Sequence, residues 1–280
     1  MWKCPSCEAQ LVIQGSSWRC ENGHSFDIAK EGYTNLLLAN QKRSKEPGDN
    51  KQMINARREF LEKDFYLPLA HWLADAILRH NSKSSLNIFD AGCGEGYYLN
   101  IIKEKLSATG SVSKENIHGS GSDISKVAIQ KAAKKYKDCD FSVASTFQLP
   151  LMDSTQDAVV QIFAPSSESE VRRVLSEGGI WLQANPAPTH LHQLKSMVYD
   201  SAQTHETRQD DFDGFVTLED EEIQFDIELA SEQDTLNLLM MTPFYWSASK
   251  ENLEKIKQEL KQVTAHFHIT VLQKENRQPD

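Results

Sequence analysis

The sequence predicts an α/β fold: a Rossmann-like, mostly parallel sheet preceded by a small N-terminal module. Three observations carry that expectation. An apolar run opens into a glycine loop and then a helical pattern between Ser85 and Leu106. Further apolar runs alternate with helical ones as far as Ala184. Three cysteines and a histidine crowd the first 24 residues. The 280 residues suit one large domain with an appendage, divided as 1–38, 39–64 and 65–280. A composition of 39% hydrophobic and 25% charged residues excludes a disordered or fibrous chain.

In the first of these segments Cys4, Cys7, Cys20 and His24 are spaced C-x2-C-x12-C-x3-H. A short C-x2-C knuckle offers two thiolates from one turn, and a second knuckle completes the four ligands that Zn2+ needs. Leu11–Ile13 and Ser17–Arg19 read as a hairpin carrying the second knuckle. So short a segment cannot hold together on its own core, so the metal is expected to stabilise it. The N-terminus MWKCPSCEAQ lacks a secretory apolar run, and no stretch reaches the roughly 20 apolar residues of a bilayer span. A cytoplasmic protein with no membrane partner is expected.

The segment 39–64 is a basic linker and helix. Lys42, Arg43, Lys45, Lys51, Arg57 and Arg58 stand against only Glu46 and Asp49. Pro47-Gly48-Asp49 forms a turn, and Asp49 is placed to cap the following helix. Beside a zinc module, this stretch suits a phosphate backbone: Lys42, Arg43, Lys45, Arg57 and Arg58 are candidate RNA contacts. A solvated linker has the same composition, and both readings stay open.

From residue 65 on, the elements follow in βαβ order. The strand Ser85–Asp90 leads into Ala91-Gly92-Cys93-Gly94-Glu95-Gly96 and the helix Tyr97–Leu106. Glycines there let the backbone turn tightly and a ligand approach closely. With Asp90 at the strand tip the loop reads D-x-G-x-G-x-G, the form of S-adenosylmethionine-binding loops; the dinucleotide fingerprint G-x-G-x-x-G is absent. A strand over Asn116–Ser122 ends at Asp123, an acid placed to accept from ribose hydroxyls, and the helix Ser125–Tyr136 follows. Strands at Phe141–Ala144, Asp157–Phe163 and Gly179–Ala184, with a helix at Ser167–Leu175, complete the doubly wound pattern. Beyond Ala187 come a helix at His190–Asp200, one near Glu232–Met240, and a last strand at His266–Leu272.

The net charge of −10 argues at first against nucleic acid. It is concentrated, however: Glu206 to Asp234 holds twelve carboxylates and one base. This window is expected to be partly an insertion over one sheet edge, and to face away from the RNA path or repel RNA from a wrong approach.

Missing features narrow the methyl acceptor. After the strand ending at Phe163 the chain reads Ala164-Pro165-Ser166, not the acidic Pro-Pro turn of adenine-amine methylation. Cys93 and Cys139 are poorly placed for the nucleophile that carbon-5 pyrimidine methylation requires. A ring nitrogen or other heteroatom remains.

The blocks CPSC, CENGHSFDIAKEGYTNLL, KRSKEPGDNKQMINARREFL, FDAGCGEGYYL, SDISKVAI and MTPF closely resemble the RlmA (RrmA) guanine-N1 methyltransferases. The resemblance runs from Cys4 to about Phe244. It implies a zinc-ribbon module that helps recognise RNA, a class I S-adenosylmethionine-dependent methyltransferase domain, and a homodimer acting on a domain II hairpin of 23S ribosomal RNA. The KRSKEPGD stretch resembles the form whose target is guanine 745. Carried over by position, Cys4, Cys7, Cys20 and His24 would bind zinc. Gly94 and Glu95 would contact the cofactor, with Asp90, Gly92, Gly96 and Asp123 around them. Tyr66 and His190 match cofactor-contacting positions, which residue chemistry alone does not single out. Family members can carry Cys where this chain has Ser166, so no thiol is needed there.

Guanine N1 carries a proton at neutral pH, so an acceptor for it must lie within hydrogen-bond reach. Asp157 and Asn185-Pro186 are candidates by topology, and no base is assigned. Since N1 lies on the Watson–Crick edge, the target must be unpaired or flipped out. Two other readings stay open: a small-molecule methyltransferase with an accessory zinc module, and a non-catalytic RNA-binding assembly factor that retains a cofactor pocket.

Overall fold

The module opens with three short antiparallel strands, β1 (Val12–Gln14), β2 (Ser17–Arg19) and β3 (Ser25–Asp27), paired in that order. The computed structural model describes residues 2–41, 48–199 and 212–275. After β3 comes β4 (Thr34–Asn35), and it does not stay with the module. It pairs in parallel with β7 (Cys139–Val143), Thr34 opposite Ser142, and Leu36 N–H donates to the Val143 carbonyl at 2.9 Å. The segment 1–38 therefore contributes the outermost strand of the large sheet.

Helix α1 (Lys51–Leu61) is capped by Asn50, whose side chain accepts from the N–H groups of Gln52 and Met53. Asp49, the expected cap, is instead paired with Arg57. An Asx side chain one residue later satisfies the first-turn donors, which frees the aspartate for the arginine. Helix α2 (Leu67–His80) starts with a proline in its first turn and buries Leu69, Ala70, Leu73, Ala74, Ala76 and Ile77, the spacing of one helical face.

The sheet core alternates as expected. Strand β5 (Leu86–Ala91) precedes α3 (Tyr97–Ala108); β6 (Ile117–Asp123) precedes α4 (Lys126–Lys135), capped by the Ser125 hydroxyl; and β7 follows. Then come β8 (Gln156–Ile162), α5 (Glu168–Val174) and β9 (Leu175–Pro186). Strand β8 is buried along its whole length, as a central parallel strand with both faces covered must be. Past β9 lie α6 (His192–Val198), β10 (Phe215–Glu228), α7 (Glu232–Met240), α8 (Phe244–Ser247), α9 (Lys250–Glu259) and β11 (Gln262–Lys274).

The sheet order is β10-β11-β9-β8-β5-β6-β7-β4. Strands β4 to β9 run parallel, and β10 and β11 are antiparallel at one edge. Chain order reverses at β5, between β6 and β8, so the crevice for a ligand opens at the carboxyl ends of these strands. One face packs Ile88, Val160 and Leu182 against α2, α3 and α4. The other presents Phe89, Val159, Trp181 and Leu272. These pack with Val171 and Val174 of α5 and with Trp2, Cys4, Leu11, Cys20 and Leu36 of the module. The cysteine knuckles thus cover a sheet face that α5 alone is too short to cover.

The acidic window departs from expectation. Asp213 to Glu228 is no loose insertion: it includes the 14-residue edge strand β10. Its acids find partners across the ladder and from below. Glu219 accepts from Arg79 at 2.7 Å and pairs with His80; Glu222 faces His266 at 2.9 Å; Asp220 pairs with His268. Charge composition hid a strand whose second half alternates Glu222, Gln224, Asp226 and Glu228 with Ile223, Phe225 and Ile227 in period two. Glu206, Asp210 and Asp211 lie outside the described residues. Among the described residues, no helix is long and apolar enough to cross a membrane.

Candidate functional site

In the module, the sulfurs of Cys4, Cys7 and Cys20 and a ring nitrogen of His24 all lie within 4.8 Å of one another. Cys7 Sγ is 3.6 Å from Cys20 Sγ, and His24 Nδ1 is 3.4 Å from Cys20 Sγ and 3.6 Å from Cys4 Sγ. Zinc–thiolate bonds of about 2.3 Å put tetrahedral sulfurs about 3.8 Å apart. The donor set and its spacing therefore fit Zn2+, with these four residues as the ligands. Gly23 makes the second knuckle possible: at φ 84° it occupies the left-handed region, and its N–H donates to the Cys20 carbonyl. The Asn22 side-chain amide donates to Cys7 Sγ at 3.3 Å, and with the Ala9 N–H it lowers that thiol to about 6.

The second site is a cavity of about 560 Å³ at the carboxyl ends of β5, β6 and β8. It brings together Tyr66, Asp90, Gly92, Gly94, Glu95, Asp123 and His190, which lie up to 124 positions apart in the chain. Gly96 does not line it. It stands at the N-cap of α3 in the left-handed region, and a Cβ there would lie 3.0 Å from Phe141. Gly92 is constrained more tightly: an added Cβ would stand 2.4 Å from that of Ala164. A Cβ on Gly94 would point into open space, which leaves its backbone accessible from the cavity.

Two acids face this loop. Asp123, at the tip of β6, accepts from Gly94 N–H at 3.0 Å and from Ser125 N–H at 2.7 Å, so it ties the glycine loop to the start of α4. Burial pushes its carboxyl up, against the pull of those two donors. Asp90, at the tip of β5, is 2% exposed, and one carboxylate oxygen has no hydrogen-bond partner. Burial, then the charge of Asp123, lifts it to about 8. Glu95 is 3% exposed, forms no hydrogen bond among the described residues, and sits 3.4 Å from Arg58 Nε; burial lifts it to about 7 despite that charge. Unsatisfied buried acceptors beside an accessible loop backbone fit a cationic, hydroxyl-bearing ligand such as S-adenosylmethionine.

The far end of the cavity is aromatic. Tyr66 is buried just ahead of α2, its ring 5.3 Å from Phe60 and 5.2 Å from Phe267. His190 is buried rather than exposed, in the turn before α6. Its Nδ1 accepts from His266 N–H at 3.2 Å, which puts the proton of the neutral ring on Nε2. Met241, Thr242, Pro243 and Phe244 close this end from the tail of α7.

Arg57 and Arg58 are not placed alike. Arg57 lines the cavity, pairs with Asp49 and reaches the Met241 carbonyl at 3.4 Å; Arg58 bridges Glu62 and Glu95. Both are engaged in ion pairs at the cavity. Lys42, Arg43 and Lys45 lie outside the described residues. Asp157 lies at the opposite end of β8, bound to Lys83, Asn87 N–H and Ser176. Of the pair Asn185-Pro186, only Pro186 reaches the cavity. Cys93 is buried with its thiol pushed well up, and Cys139 is likewise raised, by burial first, which suits neither to act as a nucleophile. Ser145, Thr146, Phe147 and Phe163 line the cavity unannounced by any sequence signal except their position after β7 and β8.

Residues 2–45 match the family described as RlmA, N-terminal, and residues 82–256 match the family described as methyltransferase domain. A Bacillus subtilis (strain 168) protein provisionally named a 23S rRNA (guanine-N(1)-)-methyltransferase is 30% identical, over 97% of this chain and 96% of its own. The 23S rRNA (guanine(748)-N(1))-methyltransferase of Streptomyces fradiae is 34% identical, over 69% of this chain and 65% of its own. Among solved structures, one chain from the complex of the Haloferax volcanii Trm112 methyltransferase activator with a methyltransferase superposes at a TM-score of 0.50. It has 18% identity and covers 82% of this chain and 100% of its own. That likeness concerns the fold.

Proposed function

The chain belongs to the RlmA family of 23S rRNA guanine-N1 methyltransferases, and from that premise we propose that it methylates N1 of guanine 745 in a domain II hairpin. We further propose that it works in the cytoplasm as a homodimer that binds Zn2+ through Cys4, Cys7, Cys20 and His24. The observation that carries the reading is one cavity that joins the glycine loop and Asp123 to an aromatic end capped by the tail of α7. The RlmA-type module packs on the same sheet.

When bound, S-adenosylmethionine supplies an electrophilic methyl on its sulfonium. The chain's own work is alignment and exclusion of water, which can account for much of a displacement's acceleration. Asp123 holds Gly94 and the loop in place and offers the ribose an acceptor. Asp90 and Glu95 supply buried carboxyls toward a cationic ligand, and Tyr66 and His190 wall the far side. Lys42, Arg43 and Lys45 are the proposed phosphate contacts; in the sequence they precede Gly48 and Asp49, which line the cavity. Guanine N1 is reachable only after the base leaves its stack, as a hairpin loop allows.

The deciding measurement is reverse transcription of unmodified 23S rRNA after incubation with the protein and cofactor. A new stop at guanine 745 is the expected result. A stop at guanine 748 would move the assignment to the neighbouring-nucleotide form. Methyl transfer only to members of a metabolite panel would support the small-molecule reading instead.

A further inference from the structure

We propose that Phe163 is the face on which the acceptor guanine stacks once it has left its hairpin; this rests on the guanine-N1 reading above. Phe163 is the first residue beyond β8 and lines the cavity that holds Asp90, Gly94 and Asp123. Its neighbour Ala164 abuts the glycine loop at Gly92, so the turn that carries the ring starts at the cofactor end of the site, and the ring reaches from there to the aromatic end.

Two features set this ring apart from the buried aromatics around it. First, it is 41% exposed, whereas Tyr66 and Phe267 in the same cluster are almost wholly buried. Its centroid is 5.9 Å from that of His190 and 5.5 Å from that of Phe267, so part of the ring is backed by aromatic groups and the rest is open. Second, its backbone lies in the left-handed region, at φ 54°, uncommon for an aromatic residue and costly unless its surroundings hold it.

The support is visible. Buried Gln161 accepts the Trp181 indole N–H at 3.1 Å and the Ser166 hydroxyl at 2.6 Å on one oxygen, and its amide donates to the Ala164 carbonyl. This brace fixes the turn from Phe163 to Ser166 before any substrate arrives. A flipped purine loses its stacking on neighbouring bases, and a preplaced aromatic face restores it without reading the base's edge. The edge that carries N1 is thereby left free for reaction.

The test compares the parent, Phe163→Leu and Phe163→Tyr on an unmodified rRNA hairpin, with cofactor affinity measured alongside. Phe163→Leu is expected to lower kcat/KM for RNA roughly ten- to a hundredfold, the usual loss for a stacked base. Cofactor affinity should hold, and Phe163→Tyr should restore most of the loss. The stacking assignment fails if Phe163→Leu methylates as the parent does, if Phe163→Tyr is as impaired as Phe163→Leu, or if cofactor affinity falls in step with kcat/KM. A parent that transfers no methyl to rRNA guanine overturns the guanine-N1 reading itself, an outcome seen before any variant is compared.

Discussion

Asp90 and Asp123 end adjacent parallel strands and line the cavity beside the glycine loop, Asp90 buried and Asp123 partly so. A carboxyl held near 8 is mostly protonated at neutral pH, so a cationic ligand beside it should draw the proton off. Cofactor binding is therefore expected to release protons between about pH 6 and 8, with Glu95 contributing. Calorimetry in two buffers of different ionisation heat would measure this, and pH-independent affinity would sink the idea. The same raised value has a stability consequence. The folded state holds a proton that the unfolded chain loses near its ordinary carboxylate value, so Asp90 costs stability increasingly as pH climbs from that range toward 8. Asp90→Asn should thus raise Tm more at pH 8 than at pH 5. Asp123→Ala removes an acceptor from Gly94 and Ser125 and should weaken cofactor binding by about tenfold or more, readable by equilibrium titration.

At the scale of elements, the module and the sheet are one structural unit. Leu36 bonds Val143, Lys3 N–H donates to the Pro150 carbonyl at 3.0 Å, and Trp2 meets Phe89 edge-on at 6.5 Å. The spacing of Cys4, Cys7, Cys20 and His24 announces a candidate metal site but says nothing about what the site leans on. Because Cys4 and Cys20 pack in the same core as Phe89, Val159 and Trp181, removing the metal should destabilise the domain as well as the module. Chelation or Cys20→Ser is expected to lower the Tm of a single calorimetric transition and to shift tryptophan emission to the red. Cofactor affinity should weaken too, since β4 pairs with β7, and the chain beyond β7 forms the Ser145–Phe147 wall of the cavity. Two separate transitions, with the larger one unmoved by chelator, would show that the module folds independently.

At the scale of the whole molecule, acidic β10 and the strand donated by the module occupy opposite edges of the sheet. Seven strand spacings separate them, about 33 Å at the usual interstrand distance. That separation supports an RNA path on the module side, and the carboxylates of β10 also guard an open edge against pairing with other chains. Replacing Lys42, Arg43 and Lys45 with Gln should flatten the plot of log affinity for RNA against log salt by about 2, while leaving cofactor affinity unchanged. Substituting Arg57 or Arg58 should instead disturb the cavity, where both are already paired. An unchanged salt slope in the triple variant would return the segment 42–47 to the role of a linker. Local pattern was enough for much of this molecule. Apolar runs and glycine signals placed the five central parallel strands within a few residues, and ligand spacing marked the candidate metal site, because both depend on near neighbours in the chain. Tertiary structure alone decided the rest. It carried β4 out of the module, turned the acidic window into an edge strand, buried His190 and exposed Phe163. Each of these depends on which distant segment lies opposite, Ser142 across from Thr34 or His266 across from Gln224, and no periodicity within a segment encodes its partner.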